Sequence, residues 1–372
     1  MIKKALNISR HYITTTMSLE LPTVSIIVSA YHGIRYLPAT LNSILQQTCT
    51  NFEVLVFSND YVQTVRWCQG RQDSRFKFFF PDNLGIAQTL NQGILQATGK
   101  YVSWINAGDL WHPTKLQKQL ACLDHNPEVG FVHSWLMLIE HQGKSTGKIV
   151  KPEYSSAIDS LIKESNQICS ISLMIRRSCF DVIGLFDTKL KAIPDWDLWL
   201  RLNHRYQSRK ITEPLVYWRK NQRQLLENWL ILEIDLQTTI EKAFKNVPAD
   251  LLADKCRSYG YASLFLARTV LCHKEPDSAI ANNYCQQALA HYPTIGLSFT
   301  FLQVRLGIIA LSWLKSDRYL RLVSLIQRTE LILREISQQL REYSHRLLDW
   351  MLEEEDILIW GKNSKIKRQS KD

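Results

Sequence analysis

Two short stretches hold the side chains with which this chain could do chemistry. The first is WINAGDLW, Trp104 to Trp111. Here an apolar, aromatic run (Tyr101, Val102, Trp104, Ile105) of strand character breaks abruptly into Asn106, Ala107, Gly108 and Asp109. Small and polar residues directly after a buried strand stand where open α/β sheets place their ligands. The second stretch is PDWDLWLRL, Pro194 to Leu202, which sets two carboxylates, Asp195 and Asp197, at the start of a helix. Exposed amides and the helix dipole favour a charged carboxylate there, so Asp195 is expected to be ionised at neutral pH. Taken alone, such an aspartate is more readily a plain helix cap.

Other elements must position these residues. Val24 to Ser29 (VSIIVS) is a continuous apolar run, the pattern of a central parallel strand. A loop of Ala30, Tyr31, His32 and Gly33 follows, and then Tyr36, Leu37, Leu41, Ile44 and Leu45 recur at helical spacing. Glu53 to Phe57 makes a second strand, which completes a right-handed βαβ unit. Ser58, Asn59 and Asp60 lie just past its end. Phe76 to Phe80 reads as a third strand. Asp82 to Gly99 then turns at Gly85 and enters a helix whose Gly93 permits close packing on the sheet, with Asn83 and Asn91 along it. A helix opened by Pro113 follows Trp111. Strands are expected at Gly130 to Glu140, Lys148 to Val150, Ser170 to Ile175 and Ile211 to Tyr217.

From Leu225 onward strand signals stop. Asn228 to Phe244 carries helical spacing, and Arg257 to Pro293 resembles one tetratricopeptide-like hairpin, too little for a solenoid. Leu297 to Leu314 and Tyr319 to Leu340 follow as helices, the second with Arg321, Arg328 and Arg334 among leucines. A basic helix of that kind either lies on an anionic membrane or packs on a neighbour with its arginines in solvent. The division expected is a loose arm (1–21), an α/β domain (22–224), a helical domain (225–350) and a charged tail (351–372). The arm lacks the apolar run of a signal peptide.

Composition narrows the field. Lys plus Arg number 45 against 35 acids, for a net charge of +10. An anionic partner fits that balance, yet the basic residues are dispersed and form no nucleic-acid motif, so a diphosphate or a membrane surface fits better. The eight cysteines are scattered without a CxxC pair and read as reduced thiols of a cytoplasmic protein. Gly143 to Thr146 (GKST) lacks the earlier glycine of a P-loop, where Leu138 stands instead. No uninterrupted run reaches the roughly 18 apolar residues of a membrane span.

These blocks, in this order, resemble the family 2 glycosyltransferases: Val24 to Phe57, then Asn83, Gly85, Asn91 and Gly93, then GKYVSWINAGDLWHPTKL (99–116), then SISLMIRR (170–177), then DWDLWLRL (195–202). The resemblance implies a GT-A fold, a Rossmann-like mixed α/β sheet with helices on both faces, followed here by an all-α region. It implies transfer of a sugar from a nucleotide-diphosphate donor to a saccharide or lipid-linked acceptor, with inversion. Asp195 matches the family's general base, with Asp197 as the alternative. The donor would lie against Ala30, Tyr31, Ser58, Asn59, Asn83, Asn91, Asn106, Ala107 and Gly108. In the family an acidic cluster at 106–109 holds the diphosphate through a divalent metal, manganese or magnesium. This chain keeps only the last acid, Asp109, with Asn106 and Gly108 in place of the others. Arg176, Arg177 or Lys115 could then meet the phosphate charge directly. A catalytically silent domain that binds nucleotide or glycan, or that serves as a scaffold, is the alternative. An enzyme of this kind would work in the cytoplasm, at the inner face of the membrane if the basic helix docks there.

Overall fold

The computed structural model describes residues 21–31, 33–68, 73–81, 84–152, 170–219, 228–245, 252–323 and 325. Asn83, nearly all of the arm, most of the basic helix after Tyr319 and the charged tail lie outside the described residues. The chain forms two compact units. One runs through Phe265 and includes Ala288–Pro293; the other comprises Leu266–Gln287 and the chain from Thr294 onward.

The first unit is built on β1 (Val24–Ala30), whose seven residues are all buried. Such a strand has no solvent face and must be covered on both sides. It pairs in parallel with β2 (Phe52–Ser58), equally buried, across α1 (Leu37–Leu45). α2 (Tyr61–Cys68) leads to the edge strand β3 (Phe76–Phe79), parallel to β2. α3 (Ile86–Gln96) returns the chain to β4 (Tyr101–Asn106), parallel to β1 on its other side. α3 lies close over β1 because Gly93 has no side chain: a Cβ there would meet Ile27 at 2.7 Å.

The remaining strands are β5 (Leu110–Trp111), then, after α4 (Lys115–Asp124), β6 (Val129–Ile139), β7 (Ser145–Val150) and β8 (Met174–Arg176). α5 (Cys179–Ile183) and α6 (Pro194–Arg205) precede the last strand, β9 (Gln207–Arg219). The sheet order is β3-β2-β1-β4-β8-β6-β9-β5, with β7 beside β6, and parallel and antiparallel pairs are mixed.

Several elements depart from the sequence reading: α2 and β5 were not expected, and β7 begins at Ser145, three residues early. Ser170–Ser172 is a 3-10 turn, and only Met174–Arg176 extends into the sheet. β9 starts four residues earlier than the apolar pattern suggests and ends two later. Its first half, QSRKITE, is polar and largely exposed, and what holds it is pairing along β6.

α7 (Trp229–Ala243), α8 (Leu252–Leu271), α9 (Ser278–His291) and α10 (Phe299–Trp313) complete the described chain. α8 and α9 are the helices of the stretch in which a hairpin was expected. Among the described residues no helix is long and apolar enough to cross a membrane, and six cysteines are free thiols.

Candidate active site

Strand register builds one edge of the site. Ser29 lies opposite Asn106 and Ala30 opposite Ser58, so β1, β2 and β4 finish in one row. Past that row the chain bends through Ala107, Gly108 and Asp109. Ala107 N–H donates to the Ser29 carbonyl (2.8 Å), and Thr40 Oγ1 accepts from Gly108 N–H (3.0 Å) while donating to the Asp109 carbonyl (2.8 Å). Gly33 sits on the bend with φ of 76°, where a Cβ would come within 2.6 Å of the Ala107 carbonyl oxygen.

Asp109 itself is 4% exposed. Its Oδ1 accepts the Arg219 backbone N–H at 2.9 Å, and the Arg219 Nε donates to the Gly108 carbonyl at 2.8 Å. The same guanidinium donates to the carbonyls of Glu140 and His141 and stacks 4.3 Å from the Tyr36 ring centre. Burial pushes the Asp109 carboxyl up to about 7, against the opposing pull of Arg219 and Asn106. Asp109 therefore braces the last strand against the bend.

The second edge comes from α6. Pro194 fixes the first turn, and Asp195 follows at its amino end. The Asp195 carboxylate accepts hydrogen bonds from Ser170 and from the backbone N–H groups of Asp195 and Trp196. Ser170 Oγ in turn lies 3.5 Å from Trp104 Nε1, and Trp104 meets Phe186 edge-on at 5.6 Å. Asp195 is thus linked through one serine to β4, three residues before the bend. The sequence reading expected the helix terminus to hold this carboxyl charged. Burial outweighs the amides, and the net shift is upward.

Asp235 of α7 anchors the approach to Asp195: its Oδ2 accepts the backbone N–H groups of Lys191 (2.8 Å), Ala192 (2.6 Å) and Ile193 (3.2 Å). Asp197 has another task. Its Oδ2 pairs with Arg201 (2.7 Å) and its Oδ1 with Lys242 (2.6 Å), which fastens α6 to α7.

Residues 25–183 match the sequence model of glycosyl transferase family 2. Over that stretch the chain is similar to the family 2 glycosyl transferases. An uncharacterized glycosyltransferase of Rickettsia typhi is 32% identical over 190 residues, which is 48% of this chain and 58% of that protein. A second, of Haemophilus influenzae, is 27% identical over 199 residues, 52% of this chain and 67% of that one. The chain spans less than two thirds of the Rickettsia relatives it matches. Among solved structures, a mannosyltransferase from Pyrobaculum calidifontis in complex with GDP-Man and Mn2+ is similar with a TM-score of 0.51 and 16% identity. The likeness covers 82% of this chain and 84% of that one. Staphylococcus aureus TarS in complex with UDP-GlcNAc gives 0.50 and 14%, over 74% and 91%. These likenesses show the fold, GT-A.

The other residues that the sequence resemblance placed against a donor divide by what they already hold. Ala30 is buried at the end of β1, and Asn59 is exposed past the end of β2. The Tyr31 hydroxyl is buried with no hydrogen-bond partner among the described residues. Ser58 Oγ accepts from Asp60 N–H (3.1 Å) and Thr64 Oγ1 (2.9 Å) and so closes the turn into α2. Asn91 spends both ends of its amide on the Phe186 backbone, at 2.9 and 2.8 Å.

The cations suggested for the phosphates are elsewhere. Arg176 donates to the Val129 and Leu123 carbonyls and pairs with Tyr101, and Arg177 donates to the Gly99 carbonyl. Both stand at the amino end of β4. Lys115 is buried with its amine on Ser103, Gln119 and the Trp111 ring, and burial drives its pKa well down. Nor does the bend suit a divalent metal. A hard cation needs several free oxygens, and the one carboxylate here is enclosed and bonded to Arg219. Among the described residues no group of three His, Cys, Asp or Glu side chains converges.

Sequence reasoning missed Arg219, Thr40, Ser170 and Asp235. Asp235 left a trace, as an acid on the helix face that carries Leu232, Leu236 and Ile240.

Proposed function

We propose that this chain is a glycosyltransferase that moves a sugar from a nucleotide-diphosphate donor to a saccharide or lipid-linked acceptor, with inversion and with Asp195 as general base. The observation that carries this reading is the link from Asp195 through Ser170 to Trp104, which ties the carboxylate to the strand that ends in the bend. A carboxyl raised above its ordinary range by burial is a stronger base once deprotonated. Asp195 would take the proton of the acceptor hydroxyl as its oxygen attacks the anomeric carbon. The bond from that carbon to the donor's diphosphate breaks, and the nucleoside diphosphate leaves with the electron pair. The nucleotide sugars bound by the two solved neighbours, GDP-Man and UDP-GlcNAc, support a donor of that class.

A second reading is favoured by Asn106, Gly108 and the enclosed Asp109: a domain that binds a nucleotide sugar without turning it over. Calorimetry with UDP-, GDP- and dTDP-sugars, with manganese and with a chelator, followed by a turnover assay on the sugar that binds, separates the two. Binding with turnover supports the enzyme, and binding alone supports the silent domain. If no nucleotide sugar binds under either condition, both readings fail.

A further inference from the structure

The second compact unit contains a helix surface that nothing in the described protein covers. α10, FTFLQVRLGIIALSW, has one charged residue, Arg305. Its inner side is packed: Phe301 and Val304 are buried, and Gly307 approaches Leu271 and Tyr319 closely. On its outer side Phe299, Leu302, Leu306, Ile309 and Trp313 alternate three and four residues apart, which aligns them in one stripe. Every one is at least half exposed, from 50% at Ile309 to 86% at Trp313, and Leu297 extends the stripe before the helix begins.

The charges along this segment are mainly basic. Between Leu297 and Ser316 the ionisable side chains are Arg305 and Lys315, and beyond them Arg318 and Arg321 face a single acid, Asp317. We propose that the outer face of α10 docks on an anionic lipid bilayer. An apolar stripe inside a basic rim matches acyl chains beneath acidic headgroups, and aromatic residues at its two ends suit the interface. At about 1.5 Å per residue the helix is too short to span a bilayer, so it would lie in the surface. A second copy of the chain is a poorer cover, because pairing stripe on stripe would bring the two basic rims together. This docking stands whether or not the first unit turns over a sugar.

Sedimentation of the full chain with vesicles tests it. Vesicles containing about one third phosphatidylglycerol should take up the protein at least roughly tenfold more strongly than pure phosphatidylcholine, and high salt should weaken the uptake. The double variant Ile309→Asp, Trp313→Ser should lose that uptake by roughly tenfold or more, with an unchanged circular dichroism spectrum. Leu95→Asp, at an exposed apolar position in α3, should bind as the parent does. Equal uptake by both lipids, no uptake, or unimpaired uptake by the double variant would overturn the proposal. So would a lipid-free dimer that the double variant dissociates, or strong hydrogen-exchange protection of the outer α10 residues without lipid.

Discussion

Asp195 sits where two effects oppose: three hydrogen bonds favour its charged form, burial disfavours it, and burial prevails. If it is the base, Asp195→Asn should cut turnover by roughly a hundredfold or more while donor affinity, read by calorimetry, stays within about threefold. The acid limb of kcat/KM should lie above the ordinary carboxylate range. Ser170→Ala removes a bond that favours the charged form, so the limb should move to still higher pH. A limb that stays in place would separate Ser170 from the base. Asp109 gives a stability prediction. Its folded pKa of about 7 exceeds the ordinary aspartate value of 3.8, so the folded state holds a proton that the unfolded state releases. Stability attributable to this group is fully present below the lower value and is lost as pH rises through the higher one, by a few kcal/mol. Asp109→Asn should therefore flatten the decline of melting temperature between pH 4 and 7. These partnerships were not legible in the sequence. Asp109 is visible as an acid after a strand, yet its role depends on Arg219, which no local pattern connects to it.

At the scale of elements the sequence was far more readable, because period and burial are local signals. Unbroken apolar runs marked β1, β2 and β4, and Gly85 and Pro113 marked helix starts to within a few residues. What escaped is held by long-range pairing: the polar half of β9, and the loop before α6 that Asp235 gathers. Removing that anchor by Asp235→Ala leaves three backbone N–H groups without their acceptor, each worth about 1 kcal/mol or more. Urea unfolding should show a loss of about 3 kcal/mol or more, and turnover should fall by more than donor affinity, because the start of α6 would no longer be fixed. Gly33→Ala tests the other edge. It places a Cβ against the Ala107 carbonyl in a left-handed backbone, so it should destabilise by about 1–3 kcal/mol and weaken donor binding. Unchanged affinity would mean that the donor does not lie on this loop.

For the molecule as a whole, a ligand that binds only the folded sheet must raise its melting temperature. At a donor concentration about a hundred times Kd, the gain is about 2.7 kcal/mol, or roughly 5–10 °C for a domain of this size class. The nucleotide that gives the largest shift identifies the donor's base, which neither the bend nor the strand row specifies. The response to chelation follows from the bend. Its carboxylate is enclosed and already holds the backbone of Arg219, so a metal there would compete with the last strand for that group. The shift given by the preferred nucleotide sugar should therefore be the same in manganese and in chelator. A shift seen only with manganese would require that brace to open, and Asp109→Asn should then abolish it.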